Sequence, residues 1–108
     1  MGWDEDVRAR YPDWLTDAAL ARWPEARRRL VVGQHVRGSV IARAPFGVWV
    51  DIDVGHPALL LVPEMRDAAQ RRLTFDDYPA IGEIVEAWIV ALSERAEIRL
   101  TQQPQPEV

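Results

Sequence analysis

Few residues in this chain are of types that could do chemistry. Asp51 and Asp53 stand two apart, which places both carboxylates on one face of an extended strand. Such a pair can hold a divalent cation or work as general acid and base. No third ligand and no phosphate loop accompanies them, and acids commonly end exposed strands, so they read as strand-end charges. Ser39 and Ser93 are the only serines, and neither sits in the strained strand-to-helix elbow that presents a nucleophile. His35 and His56 show no metal-ligand period, and each reads as a surface imidazole. Cysteine is absent, which removes disulfides, a thiolate nucleophile and a thiolate metal site. The chemistry that remains is that of binding, with no catalytic residue, metal or cofactor expected.

The elements that must position these side chains belong to one domain. The chain has 108 residues, a formal net charge of -4, and 13 basic residues that are all arginine. A chain of this length buries somewhat over roughly 60% of its extended surface, enough for one two-layer core. Every positive contact must come from Arg, a usage that points to a high-GC bacterium. The start Met1-Gly2-Trp3-Asp4-Glu5-Asp6 is acidic where a signal peptide would be basic. The longest aliphatic run, Ala58 to Val62, is far short of the roughly 20 residues that span a bilayer. A cytoplasmic protein with no membrane role is therefore expected.

The grain of the sequence changes at Gly33. Residues 1–31 are rich in Ala, Arg and Trp without alternation, and they are expected to form a helical cap. One helix is placed at Asp13 to Arg22, and a second short one opens at Pro24. Beyond Gly33 the period is two. Val36, Gly38, Val40 and Ala42 alternate with His35, Arg37, Ser39 and Arg43, and Val48, Val50 and Ile52 alternate with Trp49, Asp51 and Asp53. Pro45-Phe46-Gly47 and Gly55-His56-Pro57 punctuate a meander whose third strand is Ala58 to Val62. A short helical piece around Glu64 to Leu73 precedes a long strand from Gly82 to near Leu92 and a last strand from Glu97 to Thr101. The expected fold is mainly β, a five-stranded antiparallel OB-type barrel over residues 32–101. It has the helical cap at its N-terminus, the short helix between strands 3 and 4, and a disordered tail at 102–108.

Five pieces of this pattern, taken in order, have a familiar spacing. They are Val32-Gly33-Gln34-His35-Val36-Arg37-Gly38-Ser39-Val40; Pro45-Phe46-Gly47-Val48-Trp49-Val50-Asp51-Ile52; Ala58-Leu59-Leu60-Leu61-Val62-Pro63-Glu64-Met65; Ile81-Gly82-Glu83-Ile84-Val85-Glu86-Ala87-Trp88-Ile89; and Ile98-Arg99-Leu100-Thr101. Together they resemble the S1 RNA-binding domain family over residues 32–101. The resemblance implies single-stranded RNA lying across strands 2 and 3 and stacking on Phe46 and Trp49, since every base offers a π-face. Arg37, Arg43 and Arg99 are the arginines expected to reach that face. The chain departs from the family at Leu61, where a histidine is usual, at Ser93, where an aspartate is usual, and at Glu97, where a basic residue is usual. Glu97 sets a negative charge where a phosphate would approach.

Strand parity suggests a second reading. Leu59 and Leu61 point opposite to Leu60 and Val62, and with Trp49 and Trp88 they make an outward-facing apolar set. Such a set marks a protein interface unless the chain's own first 30 residues cover it. The sequence thus leads to a non-enzymatic binding module. One ligand class is single-stranded RNA, bound weakly or in an altered way. The other is a protein partner, for an adaptor or small inhibitor that has lost RNA binding.

Overall fold

A computed structural model describes residues 2–105. Two helices, α1 (Trp3–Arg10) and α2 (Asp17–Arg28), precede five strands: β1 (His35–Ala44), β2 (Gly47–Asp51), β3 (Ala58–Leu61), β4 (Ile84–Leu92) and β5 (Ile98–Thr101). The strands close into a barrel in the order β1-β2-β3-β5-β4. Four of the five pairings are antiparallel, but β3 and β5 run parallel. The reason is arithmetical: directions that alternate around a closed ring of five strands must repeat once. The expectation of a wholly antiparallel barrel is corrected at that one seam.

The helices begin and end differently from the sequence expectation. Trp3–Arg10 is helical, with Asp4, Glu5 and Asp6 in its first turn and Arg8 and Arg10 in its last, a distribution that complements the macrodipole. Residues 11–16 then form turns, so Trp14 lies in a linker and not on a helix. Thr16 caps α2 by accepting a hydrogen bond from the Ala19 amide at 3.3 Å. Pro24 lies inside α2, which runs on to Arg28. Between β3 and β4 there are only 3₁₀ turns, at Val62–Glu64 and Phe75–Asp77, where a helix from Glu64 to Leu73 was expected. A single turn gains too few hydrogen bonds to propagate as α-helix.

The two helices do different work in packing. Trp23, Ala26 and Leu30, from α2 and the residues after it, join Val40, Val48, Val50, Leu60, Ile89, Ile98 and Leu100 in the core cluster. The Trp23 indole Nε1 donates to the Ser93 carbonyl at 2.8 Å, so α2 closes one end of the barrel. No residue of α1 belongs to that cluster. Instead α1 lies against the outside of β1, with Val7 completely buried.

A bulge makes this possible. The β1–β2 register shifts between Val40 and Ala42, so that Val40 faces Val50 but Ala42 faces Trp49. The extra residue reverses the parity of the rest of β1. Ala42, expected to continue the inward set, is buried with Ala44 outside the core cluster, on the outer side that α1 covers.

The Gln102 amide donates to the Glu64 carbonyl at 2.8 Å and the Gln103 side chain donates to the Met65 carbonyl at 2.6 Å. Of the tail expected at 102–108, these two residues are tied to the β3–β4 connection, and residues 106–108 lie outside the described residues. Among the described residues no helix is long and apolar enough to cross a membrane.

Candidate nucleic-acid interface

The turn into β2 sets the site. A Cβ at Gly47 would lie 2.3 Å from the Leu60 carbonyl oxygen, so only glycine lets β2 approach β3 so closely there. That approach fixes Phe46 at the tip of the β1–β2 turn and Trp49 two residues into the strand. Val48 and Val50 are fully buried, and alternation along the strand puts Trp49 on the outer face. Cross-strand pairing extends that face in a row: Ala42 beside Trp49, Trp49 beside Leu59, and Leu59 beside Arg99.

The face is already occupied by the chain's own aromatics. The Trp3 ring stacks on Trp49 with centroids 6.1 Å apart and an interplanar angle of 20°, and it meets Phe46 edge-on at 5.1 Å and 87°. From the linker, Trp14 meets Trp49 edge-on at 5.3 Å, and Trp3 and Trp14 touch at 6.0 Å. Phe46 remains 39% exposed, while Trp49 is half-buried. The indole nitrogen of Trp49 is buried with no hydrogen-bond partner, a cost of about 1–3 kcal/mol for this arrangement.

A polar latch holds the same helix at its other end. Tyr11 Oη donates to Asp51 Oδ1 at 2.5 Å and Arg10 Nε donates to Asp51 Oδ2 at 2.7 Å. The Asp53 amide also donates to Asp51 Oδ1, at 2.9 Å. Burial works against the Asp51 carboxylate, but the hydrogen bonds from Tyr11, the Asp53 amide and Arg10 together outweigh it and hold its pKa below the ordinary value. Burial, and then the bond to Asp51, push the Tyr11 phenol well above its usual pKa. Asp51 and Asp53, read from sequence as strand-end charges, therefore differ in role. Asp51 anchors α1, and Asp53 turns the chain with a φ of 64°. Among the described residues no cluster of three or more His or acidic side chains is placed to hold a metal ion.

The expected arginines do not converge. Arg37 lies opposite Glu86 in the β1–β4 register. Arg43 is turned away by the bulge: it pairs with Val48, its guanidinium lies 4.2 Å from the Phe75 ring centroid, and it donates to the Phe75 carbonyl. Arg99 does lie beside Leu59, on the far side of it from Trp49, but it is ion-paired with Glu97 at 3.4 Å. Ser93 serves the β4–β5 turn, its hydroxyl accepting from the Arg95 and Glu97 amides, both at 3.0 Å.

The four apolar candidates do not form one exposed patch either. Trp49 and Leu59 lie side by side under the cap, Leu59 being 9% exposed. Leu61 is half-buried opposite Gly47. Trp88 is elsewhere, on β4 beside His35 at 5.4 Å. His56 is not a surface imidazole: it is buried edge-on against Trp23. Burial, and then the nearby Arg22 charge, lower its pKa. Between the 11–16 linker and the barrel a cleft of about 230 Å³ runs past Trp14, Trp49, Leu59 and Arg99.

Sequence reasoning missed Trp3 and Tyr11 as parts of the site. Trp3, Val7 and Tyr11 recur at i, i+4 and i+8, the spacing of a helical stripe, and that was the available signal.

No protein-family model and no curated protein matches the chain. Solved structures do match its fold. An uncharacterized protein MJ1198 from Methanocaldococcus jannaschii superposes with a TM-score of 0.56 at 17% identity, over 71% of this chain and 97% of that one. A putative exosome complex RNA-binding protein matches with a TM-score of 0.57 at 23% identity, over 70% of this chain and 45% of the other. RNase R of Mycoplasma genitalium, in complex with ribose-methylated single-stranded RNA, matches with a TM-score of 0.52 at 20% identity, over 83% of this chain and 14% of that enzyme. At these identities the likeness is one of fold. This chain is an OB-type barrel of the kind that also occurs in nucleic-acid-binding proteins.

Proposed function

We propose that the protein is a non-catalytic binding module that takes single-stranded RNA on the Phe46/Trp49 face. The observation behind this reading is the aromatic platform itself. Two side chains at the positions that the S1 resemblance assigns to base stacking share one outer face, and the ring of Trp3 already stacks on Trp49 and meets Phe46 edge-on. The exosome RNA-binding protein and the RNase R complex with single-stranded RNA support the ligand class by analogy of fold. Two stacked bases contribute roughly 2–6 kcal/mol, against the about 8 kcal/mol of a micromolar complex. With Arg99 neutralised by Glu97 and Arg43 turned away, phosphate contacts add little. Affinity is accordingly weak.

Fluorescence anisotropy of a labelled twelve-nucleotide oligouridine tests the proposal. The wild type should bind in the range of tens of micromolar or weaker, roughly 6 kcal/mol, and Trp49→Ala should weaken binding about fivefold or more, the effect of losing one stacked base. Binding that survives undiminished in the Phe46→Ala/Trp49→Ala double variant would overturn the assignment of the face. The protein-interface reading is less favoured, since Trp49 and Leu59 lie under the cap and Trp88 lies apart from them.

A further inference from the structure

We infer that α1 is a displaceable lid that competes with RNA for the barrel's stacking face, Trp3 standing where a base would lie. The inference rests on the RNA-binding reading for its ligand but not for the lid itself.

Several observations distinguish α1 from the rest of the fold. First, α2 is part of the barrel core through Trp23, Ala26 and Leu30, whereas α1 contributes nothing to that cluster. The core therefore stays closed when α1 leaves. Second, the ring of Trp3 is nearly parallel to that of Trp49 and edge-on to Phe46, so besides Trp14 of the linker its aromatic contacts are the two side chains that the proposed ligand needs. Third, the Trp49 indole nitrogen is buried with no protein partner, so the docked arrangement does not satisfy this donor on the face. Fourth, α1 is only eight residues long, too short to be stable as a free helix. It keeps its form only while docked. Fifth, the linker to α2 includes Leu15, exposed and with a φ of 67°, a conformation that a branched side chain holds at some cost.

The closed state is held by groups at both ends of the helix. At one end Trp3 packs on the aromatic pair, and at the other Tyr11 and Arg10 bond to Asp51. Between them Val7 is fully buried. No residue of α1 is itself a member of the barrel's core cluster. An RNA strand that stacks on Trp49 must displace Trp3, so RNA and the closed lid exclude one another. Lid closure reduces the apparent affinity by the fraction of molecules that are open.

Two measurements on the full chain separate the lid from its ligand. In wild-type protein without RNA, amide hydrogen exchange of the Tyr11 amide, which bonds to the Val7 carbonyl, should be at least about tenfold faster than that of α2 and β-strand amides. Equal protection in α1 and α2 would overturn the lid, whatever RNA does. In the second measurement, Trp3→Ala should tighten oligouridine binding by about fivefold or more, and Trp49→Ala added to it should remove the gain. Oligouridine binding that Trp3→Ala leaves unchanged or weakens would overturn the competition while leaving RNA binding in place. No binding in either form, with fast exchange of α1, would instead overturn the RNA reading and the competition built on it.

Discussion

Asp51 shows how one side chain can change meaning between sequence and fold. Read along the chain it ends a strand beside another acid; in the structure it accepts bonds from Tyr11, Arg10 and the Asp53 amide. Tyr11 and Arg10 come from about forty positions upstream, and a contact at that separation leaves no local pattern. Phe46 and Trp49 were legible because their spacing around Gly47 is local. Trp3 was not, because a lone aromatic in an acidic stretch has no neighbour that announces its target. Asp51 also supplies a pH prediction. Its pKa is lowered when α1 is docked, and with α1 released it returns toward the ordinary aspartate value of about 3.9. The docked state then binds fewer protons than the open one, so docking is fully supported above about pH 4 and weakens as pH falls through the lowered value. Exchange of α1 amides should accelerate relative to α2 on acidification from pH 6 to about pH 3, and Asp51→Asn should flatten that dependence. An acid response that persists in Asp51→Asn would place the titrating group elsewhere.

At the scale of elements, the strands and the N-terminal helical cap were legible, and the helix boundaries were not. Period-two alternation marked β1, β2 and β4 because each buries one face and exposes the other. A bulge leaves no such mark, since Ile41 is an ordinary strand residue, yet it decides that Ala42 lies under α1 and that Arg43 points toward Phe75. The parallel β3–β5 seam follows from counting strands around a closed ring. The helix boundaries shifted because capping by Thr16 competes with the apparent start near Pro12. The division of labour between helices makes a stability prediction. Trp23 is 2% exposed in the core, and Trp23→Ala should cost about 3–5 kcal/mol of global stability through the cavity it leaves. Trp3→Ala empties no core site and should shift the urea midpoint less. Equilibrium denaturation followed by far-UV circular dichroism compares them; an equal or larger shift for Trp3→Ala would mean that α1 and the barrel unfold as one unit.

For the whole molecule, the charge distribution limits what the barrel can hold. The net charge is -4, and the arginines expected at the face are paired with Glu97, set opposite Glu86 or turned toward Phe75. Each neutralised phosphate of a single strand contributes about -0.7 to the slope of log affinity against log salt. Oligouridine binding should show a slope shallower than about -2, fewer than three phosphates. A slope steeper than about -3 would show a phosphate-binding surface away from the aromatic face. The central claim, that RNA is taken on the Phe46/Trp49 face in place of Trp3, has an internal control in the five tryptophans. Each gives its own indole N–H signal in a nitrogen-15 correlation spectrum, and Trp23 is bonded to the Ser93 carbonyl inside the fold. Titration of the full chain with oligouridine should move the Trp49 and Trp3 signals together while Trp23 stays in place. Shifts that leave Trp49 and Trp3 untouched and fall on Trp88, or on no indole at all, would contradict it.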